Sequence, residues 1–314
     1  MKGIQILSAI ALVLSLCGCE KMSYFQVNPN APTVADPSLE LTNIEQIAFS
    51  NIASDAGLAC RQLVYTQASS SAQYYAWQRS SMSYGNISQV VKMQQEAART
   101  GKTNYIYLGK FFTSYFIIGM TETFGEIPYS RMMQSLANDN FDSSASQPVY
   151  DTQHDVYLGV LKQLKIASDS LVDDGTSLAG DIIYGGNIGQ WKKLINSFTL
   201  RVLMSLSLKT GDASLDIQQR FNDIVSNAAQ YPLMASNDDN GALSYYDITG
   251  NQYPYYNNNS MKTDFYLDSS FVTLLQTLND RGCSCMDSPR PMLRRPMSPP
   301  MILTPTADSG EVGP

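Results

Sequence analysis

Histidine is almost missing from this sequence: His154 is the one residue of its kind in 314. Every mechanism that needs two histidines is excluded, and so are most zinc sites. His154 falls in a helical segment, where a lone histidine reads as a solvated or capping residue. Positive charge is also scarce. Lys and Arg number 21 against 28 Asp and Glu, for a formal charge of −7. Such a chain has no electrostatic footprint for nucleic acid. Long apolar runs are missing after the first residues. The nearest, Phe111 to Met120, is broken by Thr113 and Ser114 and is too short to span a bilayer. Five cysteines make no disulfide framework, because Cys60 is alone in its region and Cys283 and Cys285 lie in an atypical tail.

Catalytic motifs are lacking as well. There is no Gly-x-Ser-x-Gly elbow, no P-loop and no His-Glu-x-x-His. Gly185-Gly186-Asn187-Ile188-Gly189 lacks the strand–turn–helix context of a dinucleotide fingerprint and reads as a turn. The adjacent pairs Asp173/Asp174 and Asp238/Asp239 are not the two carboxylates held across a cleft that a glycosidase requires. No cofactor is implied, and the expectation is a binding protein and not an enzyme. Ser236, Asp238, Asn240, Gly241, Ser244 and Asp247 fall at positions one, three, five, six, nine and twelve of a calcium-loop template. Ser replaces the first Asp, Asp replaces the final Glu, and flanking helices are missing. Calcium held by Asp238, Asn240 and Asp247 is therefore the alternative, and a polar turn the main expectation.

What is present begins at the first residue. Lys2 is a short positive n-region, and Ile4 to Leu16 is an apolar run of signal-peptide length. It ends in Leu16-Cys17-Gly18-Cys19, a lipobox. Cleavage before Cys19 and acylation of its thiol would anchor the chain stably, since more than one acyl chain is attached. Glu20 follows the cysteine, where an Asp would favour inner-membrane retention, so the outer membrane is the expected destination.

Met22 to Pro37 is rich in Asn, Pro and Ser and reads as an extended leader. Helical periodicity starts near Leu41, with Ile44, Ile47, Ala48 and Ile52 as a stripe and Thr42 or Asn43 as the cap. Further helices are expected at Ile87–Ala98, Asn104–Thr123, Tyr150–Val172, Trp191–Leu208, Asp216–Gln230 and Asp268–Asn279. Val156, Val160, Leu161, Leu164, Ala167 and Leu171 form the clearest stripe, with Lys162 and Lys165 facing away. Ser69–Asn86, Ser135–Pro148, Gly175–Gly189 and Ser236–Thr263 read as loops. The expected class is all-α: a tetratricopeptide-like array of helical hairpins with long irregular loops, incomplete at its C-terminal end.

The aromatic residues are distributed unusually. There are 19 Tyr, 11 Phe and 2 Trp. Tyr74, Tyr75, Trp77 and Tyr84 lie in a Ser/Gln-rich insert, and Tyr253, Tyr255 and Tyr256 lie among asparagines. Such rings offer flat apolar faces for the C–H faces of sugars, while neighbouring amides satisfy hydroxyls. The same rings could instead pin the loops to the helices.

Four segments carry a resemblance. Thr121-Glu-Thr-Phe-Gly-Glu-Ile-Pro-Tyr-Ser130 resembles the "fGdIPys" signature of SusD/RagB-type lipoproteins. Tyr184 to Arg201, YGGNIGQWKKLINSFTLR, is similar to that family's "yxGdxxkWkklaNSlrlRl" segment, and Asn28-Pro-Asn-Ala-Pro-Thr33 resembles its opening. Pro232 to Asp239 is similar to a block of the SusD-like subgroup. The resemblance implies a helical, tetratricopeptide-containing, non-enzymatic lipoprotein at the cell surface. It implies a SusC-like TonB-dependent transporter as partner and a glycan, or in some members a peptide, as ligand. It implies that the motifs are structural and that binding residues vary.

The tail departs from that pattern. After Asp280-Arg281 comes Gly282-Cys-Ser-Cys-Met-Asp-Ser288 and a Pro/Arg/Met-rich run. Back-translated and shifted by two bases, Gly282–Ser288 can encode Leu-Phe-Val-Tyr-Gly-Phe, an apolar run of the kind expected there. The expected organisation is thus a signal peptide over 1–18, a lipidated leader over 19–40, an incomplete helical domain over 41–281 and an out-of-frame, disordered tail over 282–314. A surface glycoside hydrolase and a non-binding adaptor of the transporter are the competing readings. Metabolic labelling with an alkyne palmitate should tag the chain, and Cys19→Ser should lose both label and membrane attachment. A Cys19→Ser chain that keeps the label would contradict the lipobox.

Overall fold

A computed structural model describes residues 35–50, 54–67, 71–74, 81–138, 141–173, 178–256 and 263–280. Cys19, Tyr75, Trp77 and the tail from Arg281 lie outside the described residues. Contacts divide the chain after Asp36, and the fold below is that of the second unit.

Helix α1 covers Pro37–Phe49, four residues earlier than the stripe indicates. Proline suits the first helical position, where its fixed φ is already helical and its missing N–H is not needed. Neither Thr42 nor Asn43 is therefore the cap. Thr42 sits mid-helix and donates its hydroxyl to Gly180 O at 2.6 Å. Leu41, Ile44 and Ala48 are buried as expected, and Glu45 is buried with them. A short helix α2, Ser54–Ala59, leads into strand β1, Leu63–Tyr65.

Helices α3, Tyr84–Thr100, and α4, Thr103–Phe124, form the first long hairpin. Gly101 turns it in the left-handed region at φ 71°. Lys102 N reaches back to Ala97 O at 2.9 Å, which satisfies a terminal carbonyl. Helix α4 buries residues on most of its circumference, Tyr105, Leu108, Phe111, Phe112, Ile117 and Ile118 among them. A helix apolar on most sides belongs at the centre, and α1, α3 and a later helix, α5, pack around it.

The segment after α4 is a corner. Ile127 is fully buried and bridges to Asp151. The Asp151 carboxylate accepts from Tyr129 N and Ser130 N at 2.8 Å and from the Ser130 hydroxyl at 2.7 Å. Single helical turns at Gln134–Ala137 and Ser143–Ser146 interrupt what reads as plain loop. Helix α5 then runs Gln153–Ser170 with Thr152 as N-cap, later than the expected start at Tyr150. Its stripe from Val156 to Leu171 is buried.

Helix α6, Ile188–Ser205, is capped by Asn187 and packs on α5. Trp191 is fully buried, with Phe111, Phe112 and Tyr184 edge-on at 5.9, 5.6 and 5.1 Å. Helix α7, Ile217–Ser226, returns against α6. Near the end, β2, Phe265–Leu267, pairs antiparallel with β1 in the register Val64↔Tyr266. Helix α8, Ser269–Thr277, follows with Asp268 as its cap. The small sheet is not legible as alternation in segments so short. No described helix is long and apolar enough to cross a membrane.

Gly180 holds α1 against the connection into α6. Its φ is 81°, and a Cβ there would sit 2.2 Å from Ser38 O. Gly180→Ala combines left-handed strain with a backbone clash and should destabilise by about 3 kcal/mol in urea titrations. An unchanged midpoint would contradict this packing.

Candidate ligand-binding site

The polar segment from Ser236 onward is held by a chain of contacts that starts inside the protein. Asp181 is its first link. Oδ1 accepts from Ile183 N and Tyr184 N, both at 2.9 Å. Oδ2 accepts from Gly186 N and the Trp191 indole, both at 2.8 Å. The glycine turn expected at 185–189 is thus wound around one carboxylate. The Glu45 carboxyl, without solvent exposure, accepts from Ile182 N at 2.7 Å through Oε2, while its Oε1 is buried with no partner among the described residues. Burial, and then the Asp181 charge beside it, push Glu45 up to about 9. A carboxyl buried this way beside another acid does not ionise cheaply, so at neutral pH Glu45 carries the proton.

Tyr184 is the second link. Its hydroxyl donates to Asp239 O at 2.9 Å; burial, then Asp239 and Asp181, push it well above the usual phenol range. Asp239 is itself buried. It accepts from Ala235 N at 2.8 Å and Lys193 Nζ at 2.6 Å. Those two contacts, the amide first, hold it down at about 2. Ser236 caps the single turn Asn237–Asp239. At Gly241 a Cβ would meet Phe49 at 2.9 Å and the Tyr184 hydroxyl at 3.0 Å, so the chain leaves the core through a tight gap.

Beyond this clamp lies a tyrosine loop. Tyr246 N donates to Asn251 O at 2.9 Å and closes it. Tyr245 and Tyr253 meet edge-on at 5.4 Å, and Tyr253 and Tyr255 at 5.8 Å. Burial raises Tyr253 above its ordinary value, with Tyr255 and Tyr245 adding to it. The Tyr245 hydroxyl is buried with no partner among the described residues. Tyr246 and Tyr256 are exposed. Tyr256 donates to Asp247 at 3.3 Å, and Gln252 donates to the same carboxylate at 2.7 Å.

The loop therefore unites Tyr253, Tyr255 and Tyr256 and adds Tyr245 and Tyr246, whose place in the same polar stretch was the available signal. Tyr74 is 71% exposed on the turn Ser71–Tyr74. Tyr84 begins α3 and donates its hydroxyl to Pro128 O at 2.5 Å, with its ring packed on the core. Neither has a ring contact to the Tyr253 group among the described residues. Of the residues in the calcium alternative, Ser236 is a helix cap, Asp247 faces Gln252 and Tyr256, and no metal-ligating group of three acids, histidines or cysteines forms among the described residues. His154 lies between Asp155 and Asp212 at 3.2 and 3.1 Å. Its Nε2 also contacts Ser214 Oγ at 2.8 Å. Ser214 gives its hydrogen to Asp212 at 2.5 Å, so it is not set up as a nucleophile.

The corner at Thr121–Ser130 and the clamp at Tyr184–Asp239 coincide with a family pattern. A family model described as starch-binding associating with outer membrane matches residues 29–286. The chain belongs to this SusD-like family. A Bacteroides vulgatus protein described as an outer-membrane protein of nutrient binding is 37% identical, with a TM-score of 0.69, over 78% of this chain and 52% of that one. A SusD homologue of Bacteroides fragilis is 36% identical at TM-score 0.66, covering 78% and 51%. A second from the same organism is 28% identical at 0.68, covering 78% and 51%. This chain spans about half the length of those SusD-like structures. The curated proteins give no match.

Glu45 gives a pH test of the clamp. The folded state keeps a proton that an unfolded chain releases above about 4.5. Stability should fall as pH rises from about 4.5 toward about 9, by at most about 1.4 kcal/mol per pH unit. Glu45→Gln should remove that slope in denaturant titrations across the range. A slope unchanged in the variant would place the proton elsewhere.

Proposed function

We propose that this chain captures glycans at the outer membrane and passes them to a SusC-like TonB-dependent transporter. Cys19 carries the lipid in this reading, the helical array is the scaffold, and the tyrosine loop meets the sugar. The observation that carries it is the run of ring contacts from Tyr245 through Tyr253 to Tyr255, held on a clamped loop in a chain of a family described as starch-binding. Rings fixed by one another present stable faces, and exposed Tyr246 and Tyr256 extend them. Tyr74, Tyr75 and Trp77, neighbours in the sequence, are further ligand contacts in this reading. Tyr84 acts here as a strut for the Pro128 corner. The role is binding and delivery, without catalysis.

Titration of the purified chain against a polysaccharide panel that includes soluble starch should give saturable binding. Tyr256→Ala and Trp77→Ala should each weaken it about three- to tenfold, and the wild type should release no reducing sugar. Co-purification should recover the transporter. A folded wild type that binds no glycan would overturn the reading, and steady release of sugar would replace it with a hydrolase.

A further inference from the structure

The charge around the tyrosine loop restricts what can lie on it. From Ser236 to Tyr256 the sequence holds Asp238, Asp239 and Asp247 and neither Lys nor Arg. Asp239 is buried and its charge is matched by Lys193 at 2.6 Å. Asp238 and Asp247 are exposed, and among the described residues neither has a cation within ion-pair distance. Asp247 is also bound to the loop's exposed ring, through the Tyr256 hydroxyl at 3.3 Å. A ligand stacked on Tyr256 therefore lies next to an unmatched carboxylate.

We propose that this loop selects uncharged glycans and rejects those carrying carboxylate or sulfate groups. The proposal rests on the loop being the sugar site. Ionised carboxylates accept strongly from hydroxyl donors, so Asp247 beside Tyr256 rewards a hydroxyl-rich neutral chain, and exposed Asp238 adds charge to the same segment. The same groups repel an acidic one, and residues 236–256 supply no guanidinium or ammonium to hold an anion. Rejection built this way works by repulsion as much as by fit. Because both carboxylates are solvated, the repulsion is modest and screened by salt.

Matched polymers read the effect directly. Soluble starch and carboxymethyl starch of the same chain length are titrated at low and high NaCl. Carboxymethyl starch should bind about fivefold more weakly at low salt, and the gap should narrow at high salt. The double variant Asp238→Asn/Asp247→Asn should close most of the gap, and Tyr256→Ala should weaken both polymers. Equal affinities of the wild type at low salt would overturn the selection while leaving the loop as a sugar site. A gap unchanged by the double variant would also overturn it, since the discrimination would then be steric. A wild type that binds neither polymer would overturn both the selection and the site reading.

Discussion

The buried Glu45 carboxyl, set beside the charge of Asp181, organises the end of the molecule that carries the loop. Glu45 comes from α1, and Asp181 from the connection into α6. Asp181 accepts from three backbone amides and the Trp191 indole. Trp191 in turn is edge-packed by Phe111 and Phe112 of α4, so the same carboxylate orients the aromatic centre of the core. Leaving a buried polar group without its hydrogen-bond partner typically costs about 1–3 kcal/mol, while replacing both partners by apolar groups can be nearly neutral. The pair is thus better understood as fixing one arrangement of α1, α6 and the turn between them.

That arrangement sets where the tyrosine loop leaves the core. Tyr184 links the Asp181 turn to Asp239, and Lys193 neutralises Asp239 from α6. The loop begins two residues later, at Gly241, between Phe49 of α1 and Tyr184. A binding loop benefits from rigid support, because ordering it on contact would subtract from affinity. The family's characteristic segments fall on this support and on the Thr121–Ser130 corner. The rings beyond the support are where a ligand class is set.

The helices were legible because their stripes are long and regular. Val156 to Leu171 and Trp191 to Leu206 repeat at helical spacing, the first stripe buried throughout and the second buried apart from half-buried Leu194. Asp268, expected as the first residue of the last helix, is instead its cap. The start of α1 was misplaced because Pro37 sits at the end of a proline-rich leader yet serves as its first helical residue. Strands β1 and β2 are three residues each and pair across most of the chain, so no local alternation announces them. Glu45 reads as a first-turn surface acid, and nothing in spacing connects it to a turn 137 positions away. For the candidate site, tyrosines in a polar segment mark the loop, but ring contacts such as Tyr245 on Tyr253 depend on how the loop closes.

Infrared difference spectroscopy between the wild type and Glu45→Gln at neutral pH tests the proton on Glu45 most directly. The account predicts that the wild type shows the carbonyl band of a protonated carboxyl and that the variant lacks it. If the difference spectrum shows instead only the loss of an ionised carboxylate, Glu45 is charged and the organising interaction described here is wrong.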